Sequence, residues 1–75
     1  MTEAVIDALI RLSGLSPIFA KTVVRRAVQR AGVNPDALAK NDLVRVLPEL
    51  EKALEVYLGE GAQKRAAEIK REIER

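Results

Sequence analysis

Two helix-boundary signals stand side by side in the stretch LIRLSGLSPIFA, which covers residues 9–20. Gly14 can adopt the left-handed backbone conformation that ends a helix. Ser16 is a good N-cap residue, and Pro17 suits the first position of a following helix. The stretch therefore predicts that one helix ends and the next begins within a corner of a few residues.

Further helix breakers divide the rest of the chain in the same way. Glycine and proline recur at residues 32–35 and 59–61, and no run alternates with the period of two that is typical of a β-strand. The pattern predicts an all-α fold, a small compact bundle of four helices that forms one domain over residues 1–75. The expected helices cover about residues 2–13, 17–31, 41–58 and 62–74, with a further short turn near residues 36–39.

Pro48 lies inside the pattern of the third helix, which we expect to begin at the N-cap residue Asn41. Proline in a helix interior removes a backbone hydrogen bond and costs about 3 kcal/mol. The apolar residues before Pro48 nevertheless stay in phase with those after it. This agreement favours one helix kinked at Pro48, and two separate helices are the alternative.

The amino-acid inventory argues against catalysis. The 75 residues include no cysteine and no histidine, which excludes disulfides and removes both the usual ligands of zinc and the usual base for a serine nucleophile. The glutamates lie on polar helix faces beside lysines and arginines, an arrangement typical of a solvated surface rather than of a catalytic pair. We therefore expect no enzyme activity, no metal site and no cofactor.

The net charge of +2 is unevenly divided, because residues 1–40 carry an excess of three basic groups and residues 41–75 an excess of one acidic group. The segment around Glu3 and Asp7 is acidic, which argues against a secretory or organellar address. The longest uncharged run, residues 12–20, is too short to span a bilayer. We expect a cytoplasmic protein with no membrane partner.

A series of regularly spaced residues runs from the end of the first helix into the second. Its members are Leu9, Leu12, Gly14, Leu15, Pro17, Ala20 and the pair Val23 and Val24. This spacing resembles the helix-hairpin-helix motif of nucleic-acid-binding proteins over residues 9–24. The resemblance implies a sequence-nonspecific grip on phosphates by the backbone amides of Leu15 and Ser16, with Lys21 nearby. An ordinary helical hairpin, which needs the same glycine stop and Ser-Pro start, is the alternative.

The corner departs from that motif at three positions. Ser16 stands in place of a second glycine, which restricts how closely the backbone can approach a phosphate. Ile18 and Phe19 stand where members of the family usually carry polar or basic residues.

Basic side chains form one face of the second helix. They are Lys21, Arg25 and Arg26, with Arg30 at the margin. Such a face is suited to contacting a phosphate backbone. It is equally typical of a solvated helix, and no aromatic residue lies between these cations to stack on a base.

The first helix carries more apolar surface than one neighbouring helix can cover. Its apolar residues surround most of its circumference, and Ile6 and Ile10 face away from the side that the second helix is expected to cover. Ile18 lies outside the apolar stripe of the second helix. We expect Ile6, Ile10 and Ile18 to contact another chain, either a protein partner or a second copy in a weak homodimer.

These patterns lead to two functional hypotheses. The first is a non-catalytic protein-interaction or self-association module. The alternative is a sequence-nonspecific DNA-binding domain that uses the corner at residues 14–16 and the basic face of the second helix. Salt separates the two, because binding to phosphates weakens steeply as the salt concentration rises and apolar association does not.

Overall fold

The computed structural model describes residues 3–74, which form four α-helices and two short 3₁₀ turns. The helices are α1 (Val5–Leu12), α2 (Pro17–Arg30), α3 (Leu43–Leu58) and α4 (Gly61–Glu74). The turns, Pro35–Ala37 and Lys40–Asp42, lie in the connection between α2 and α3. No strand occurs in the described range, and the expected all-α bundle of four helices is confirmed.

Two helix starts differ from the expected ones by two residues or more, and the other helix boundaries agree to within one residue. Ala4 is extended, with φ −64° and ψ 147°, so that α1 begins at Val5; the expected start at Thr2 lies outside the described residues. α3 begins at Leu43 rather than at Asn41, because the Asp42 carboxylate accepts the Ala39 N–H at 3.0 Å and holds the preceding residues in a 3₁₀ turn.

The short turn expected near residues 36–39 lies slightly earlier in the chain. It spans Pro35–Ala37 and is a 3₁₀ turn. The Asn34 side-chain oxygen accepts the Asp36 N–H at 3.0 Å and caps it. The turn starts at Pro35 because the fixed φ of proline suits the first position after such a cap.

The corner between α1 and α2 is closed by a buried serine. Ser13 is fully buried, and its hydroxyl donates to the Ile10 carbonyl at 2.8 Å and accepts the Leu15 N–H at 3.3 Å. Gly14 follows with φ +81°, the left-handed conformation expected of it. Ser16 precedes α2 in an extended conformation, but its side chain makes no capping hydrogen bond, so it serves as N-cap through its backbone alone.

α3 runs through Pro48 without a break. The proline lies on the exposed side of the helix, while Val46, Leu50 and Leu54 are fully buried on the other side. The apolar phase is therefore kept across the proline, and the missing backbone hydrogen bond falls where water can replace it.

All four helices contribute to one core. Its largest fully buried side chains include Leu9, Val24, Val28, Leu50, Leu54 and Ile69. Each helix packs mainly against the next one along the chain, and α4 also contacts α1. Between α2 and α3 a solvent-accessible groove remains, and the candidate site lies there.

Candidate interaction surface

Several large apolar side chains stay exposed after the helices have packed. The exposed fraction is 88% for Ile18, 80% for Val44 and 79% for Val56, and Phe19 and Tyr57 are about half exposed. Single exposed apolar residues are common on proteins, whereas a contiguous group of them marks a surface that binds something. A binding surface is therefore indicated where several of these five residues lie together.

Three of the five line one groove between α2 and α3. Phe19 of α2 meets Tyr57 of α3 edge to face, with ring centroids 4.7 Å apart, and Val56 lies beside them. The groove has a volume of about 250 Å³. Smaller side chains complete its wall: Thr22, Val23, Ala27 and Ala53. The result is a groove of mixed polarity whose small residues leave room for the side chain of another molecule.

The charged residues of this groove are both cations. Arg26 and Arg30 line it from α2, one helical turn apart, and both are exposed. Neither has an ion-pair partner within residues 3–74, and no carboxylate among these residues lines the groove. The groove thus combines an apolar wall with an uncompensated positive edge.

Ile6 and Ile10 of α1 do not belong to this surface. Both are partly buried and pack against the core cluster. Although the seam of α4 is rich in alanine, α4 contacts α1 and adds Ile69 and Ile73 to the same cluster. The bundle itself therefore covers most of Ile6 and Ile10, and of the three expected interface residues only Ile18 leaves most of its side chain exposed.

The residues expected to contact phosphate lie in separate environments. The Leu15 N–H is already donated to the Ser13 hydroxyl, whereas Ser16 and Lys21 are exposed. Arg25 donates to Asp36 at 3.2 Å, in the turn after α2, while Arg26 lies in the α2/α3 groove. The basic face of α2 is therefore divided between an ion pair, a groove and open solvent.

Arg65 is a cation near the corner that the sequence did not single out. Its guanidinium carbon lies 3.4 Å from the position that a Cβ atom would take at Gly14. Arg65 also pairs with Glu68 of its own helix at 3.5 Å. No spacing in the sequence signals this proximity, because it depends on how α4 packs against the α1–α2 corner.

A second groove lies between α3 and α4 and has a volume of about 340 Å³. Val44, Leu47 and Pro48 form its apolar part, and its charged residues are of both signs: Glu51, Lys70 and Glu74. Two carboxylates and one lysine give this groove a mixed edge with a small excess of negative charge, in contrast to the α2/α3 groove, whose charged residues are both cations.

The two carboxylates with displaced pKa values lie away from both grooves. A hydrogen bond from Arg11 lowers the pKa of Glu3. The pKa of Asp42 is lowered chiefly because the Ala39 backbone N–H donates to it, with a further contribution from Arg45. Both shifts come from contacts with neighbouring groups of the fold. No group of carboxylates in the described range is arranged to hold a metal ion.

Comparisons with protein families, with curated proteins and with solved structures found no match to this chain. None of the helices in residues 3–74 is both long and apolar enough to cross a membrane. Function is therefore inferred from the grooves and charges of the bundle alone.

Proposed function

We propose that this chain is a non-catalytic interaction module that binds a segment of another protein in the α2/α3 groove. The supporting observation is the contiguous exposure of Phe19, Val56 and Tyr57 around that groove. Burying a fully exposed apolar side chain of this size contributes roughly 1.5–3 kcal/mol before the cost of association, and Phe19 and Tyr57, which are already about half covered, would contribute about half of that. Because association itself has a cost, a complex held by these three side chains would be weak and reversible.

The inventory of reactive groups supports a binding role over catalysis. The sequence has no histidine or cysteine, and the Ser13 hydroxyl is buried and engaged in two hydrogen bonds. Ser16 is exposed and makes no side-chain hydrogen bond that would activate it. Binding requires none of these groups.

The test is a titration with a helical peptide that has one leucine-rich face and an uncharged polar face. Its binding is followed by NMR, through the chemical shifts of the backbone amides of the isotope-labelled protein. We expect the amides of Val56 and Tyr57 to shift, and the variant Val56→Asp to lose binding. Val44→Asp is the matched control, because Val44 has almost the same exposure on the same helix but lies in the other groove.

A mass measurement by light scattering over a range of protein concentrations separates the two kinds of occupant. A second copy in the groove would give a dimer that Val56→Asp dissociates and Val44→Asp does not. A monomer that binds the peptide identifies a foreign partner. If the protein is a monomer and no peptide shifts the amides of the groove residues, the proposal is overturned.

Sequence-nonspecific binding to duplex DNA is the second candidate, favoured by the exposed Lys21 and by the position of Arg65 beside Gly14. We rank it second because the Leu15 amide and Arg25 already have partners. The expected dissociation constant at physiological salt is no better than about 10⁻⁴ M, the weak end of nonspecific affinity. Micromolar binding with a steep salt dependence, abolished by Lys21→Glu, would reverse the ranking.

A further inference from the structure

We infer that the segment bound in the α2/α3 groove is an acidic amphipathic helix, whose carboxylates pair with Arg26 and Arg30. This inference rests on the proposed function and names the chemical class of the partner. Its apolar residues would lie against Phe19, Val56 and Tyr57, and its carboxylates would follow the α2 edge of the groove.

The argument from charge depends on which arginines already have partners. Arg11, Arg25, Arg45 and Arg65 each pair with a carboxylate of this chain: Glu3, Asp36, Asp42 and Glu68 respectively. Arg26, Arg30 and Arg71 have no such partner within the described residues, and of these three only Arg26 and Arg30 line the groove. A partner with negative charge at this edge would form charge-assisted hydrogen bonds without breaking an existing pair.

The spacing of the two arginines indicates the shape of the partner. Residues four apart on a helix project from the same face about 6 Å apart along its axis. Carboxylates at i and i+4 of a partner helix have the same spacing. A groove between two helices also accepts a third helix along its length, and no strand edge exists in residues 3–74 to which an extended peptide could add.

The groove fits a protein helix better than a nucleic acid. Five of its nine lining residues are aliphatic or small: Thr22, Val23, Ala27, Ala53 and Val56. The two aromatic rings pack edge to face on each other, at an interplanar angle of 85°, so they do not form the open stacking platform that bases require. Two cations also make a short track for a phosphate backbone.

The experiment compares two synthetic helical peptides that share one leucine-rich face. One carries glutamates at i and i+4 beside that face, and the other carries lysines at the same positions. We expect the acidic peptide to bind about tenfold more tightly at low salt, with the ratio falling as salt screens the pairs. Arg26→Gln/Arg30→Gln should bring the ratio close to one.

Lys21→Glu is the matched control, because it removes the same net charge from an exposed position outside the groove. It should keep most of the preference for the acidic peptide. Circular dichroism checks that each variant stays helical. We expect this result because the replaced side chains are exposed and make no ion pair within the described residues.

The outcomes separate this inference from the proposed function. The uncharged peptide that tests the proposed function serves as the third ligand. Equal affinity for the acidic, basic and uncharged peptides would overturn the inference and leave the groove as a binding site without charge preference. Failure of all three peptides to shift the groove amides would overturn the proposed function as well. If an oligonucleotide shifts the Arg26 and Tyr57 amides at lower concentration than the acidic peptide does, the inference is wrong and the groove binds nucleic acid.

Discussion

The ring of Phe19 meets the ring of Tyr57 edge to face, with centroids 4.7 Å apart and an angle of 85° between the planes. The contact joins α2 to α3 at the surface of the bundle, since both side chains are about half exposed. It therefore has two consequences: it contributes to the packing of the two helices, and it shapes the wall of the groove.

A double-mutant cycle measures the first of these consequences. Phe19→Leu and Tyr57→Leu each keep an apolar side chain and remove one ring. We expect the two changes to be non-additive, with a coupling of about 0.5–1.5 kcal/mol in the free energy of unfolding. Urea denaturation of the parent, the two single variants and the double variant gives the value, and strictly additive losses would show that the rings contribute only through burial.

The left-handed conformation at Gly14 predicts a position-specific effect of alanine. Gly14→Ala should lower the free energy of unfolding by about 1–2 kcal/mol, because a Cβ atom disfavours φ +81°. Gly61→Ala is the control. Gly61 is the first residue of α4, and a Cβ there would make only an ordinary contact with Leu58, so this change should stabilise the protein by about 0.4–1 kcal/mol by restricting the unfolded chain. Equal effects at both positions would contradict the role of backbone conformation.

Replacing Pro48 should stabilise the protein. Pro48→Ala restores a backbone N–H within α3, which can bond to the Val44 carbonyl one turn earlier. The expected gain is about 2 kcal/mol, because the helical cost of proline of about 3 kcal/mol is partly offset by its restriction of the unfolded chain. Glu55→Ala, at another exposed position of α3, should change stability by less than about 0.5 kcal/mol. Chemical denaturation measures both, and a loss at Pro48 would mean that α3 packs only in the shape that proline gives it.

The lowered pKa of Asp42 predicts a loss of stability in acid. A carboxylate with a folded-state pKa below its ordinary value of 3.8 stabilises the fold fully above that value. The contribution is lost as the pH falls through the lowered pKa. Asp42→Asn should therefore be less stable than the parent at neutral pH, and the difference should shrink in acid. Asp7→Asn is the control, since Asp7 is exposed and has no ion pair within the described residues; a constant difference for Asp42→Asn across pH would contradict the prediction.

The helices were predictable because their boundaries are local. Gly14 and Pro17 act through their own backbone preferences, and the phase of the apolar residues around Pro48 depends only on position along one helix. The start of α3 was less predictable, because Asp42 competes with Asn41 by reaching back to the Ala39 N–H. Local signals thus predict which helices form, but they predict the helix boundaries only to within a few residues.

The candidate site was hard to predict because it depends on how helices meet. Phe19 and Tyr57 both lie on apolar stripes, and nothing in either stripe indicates that they touch. The same limitation applies to α1, where periodicity alone predicts that Ile6 and Ile10 contact another chain, whereas in the bundle both are partly buried against the core cluster to which α4 contributes. Only the packing of the bundle separates Arg26, which lines the groove, from Arg25, which pairs with Asp36.

The order in which the helices pack also bears on how fast the chain folds. Each helix packs mainly against its neighbour in sequence, so most native contacts close short loops, and bundles of this kind reach the native state in microseconds to milliseconds. The apolar groove between α2 and α3 is complete as soon as those two neighbours dock. A newly made chain would therefore expose its core only briefly. Once it has folded, the surface that remains accessible to other molecules includes the groove between α2 and α3.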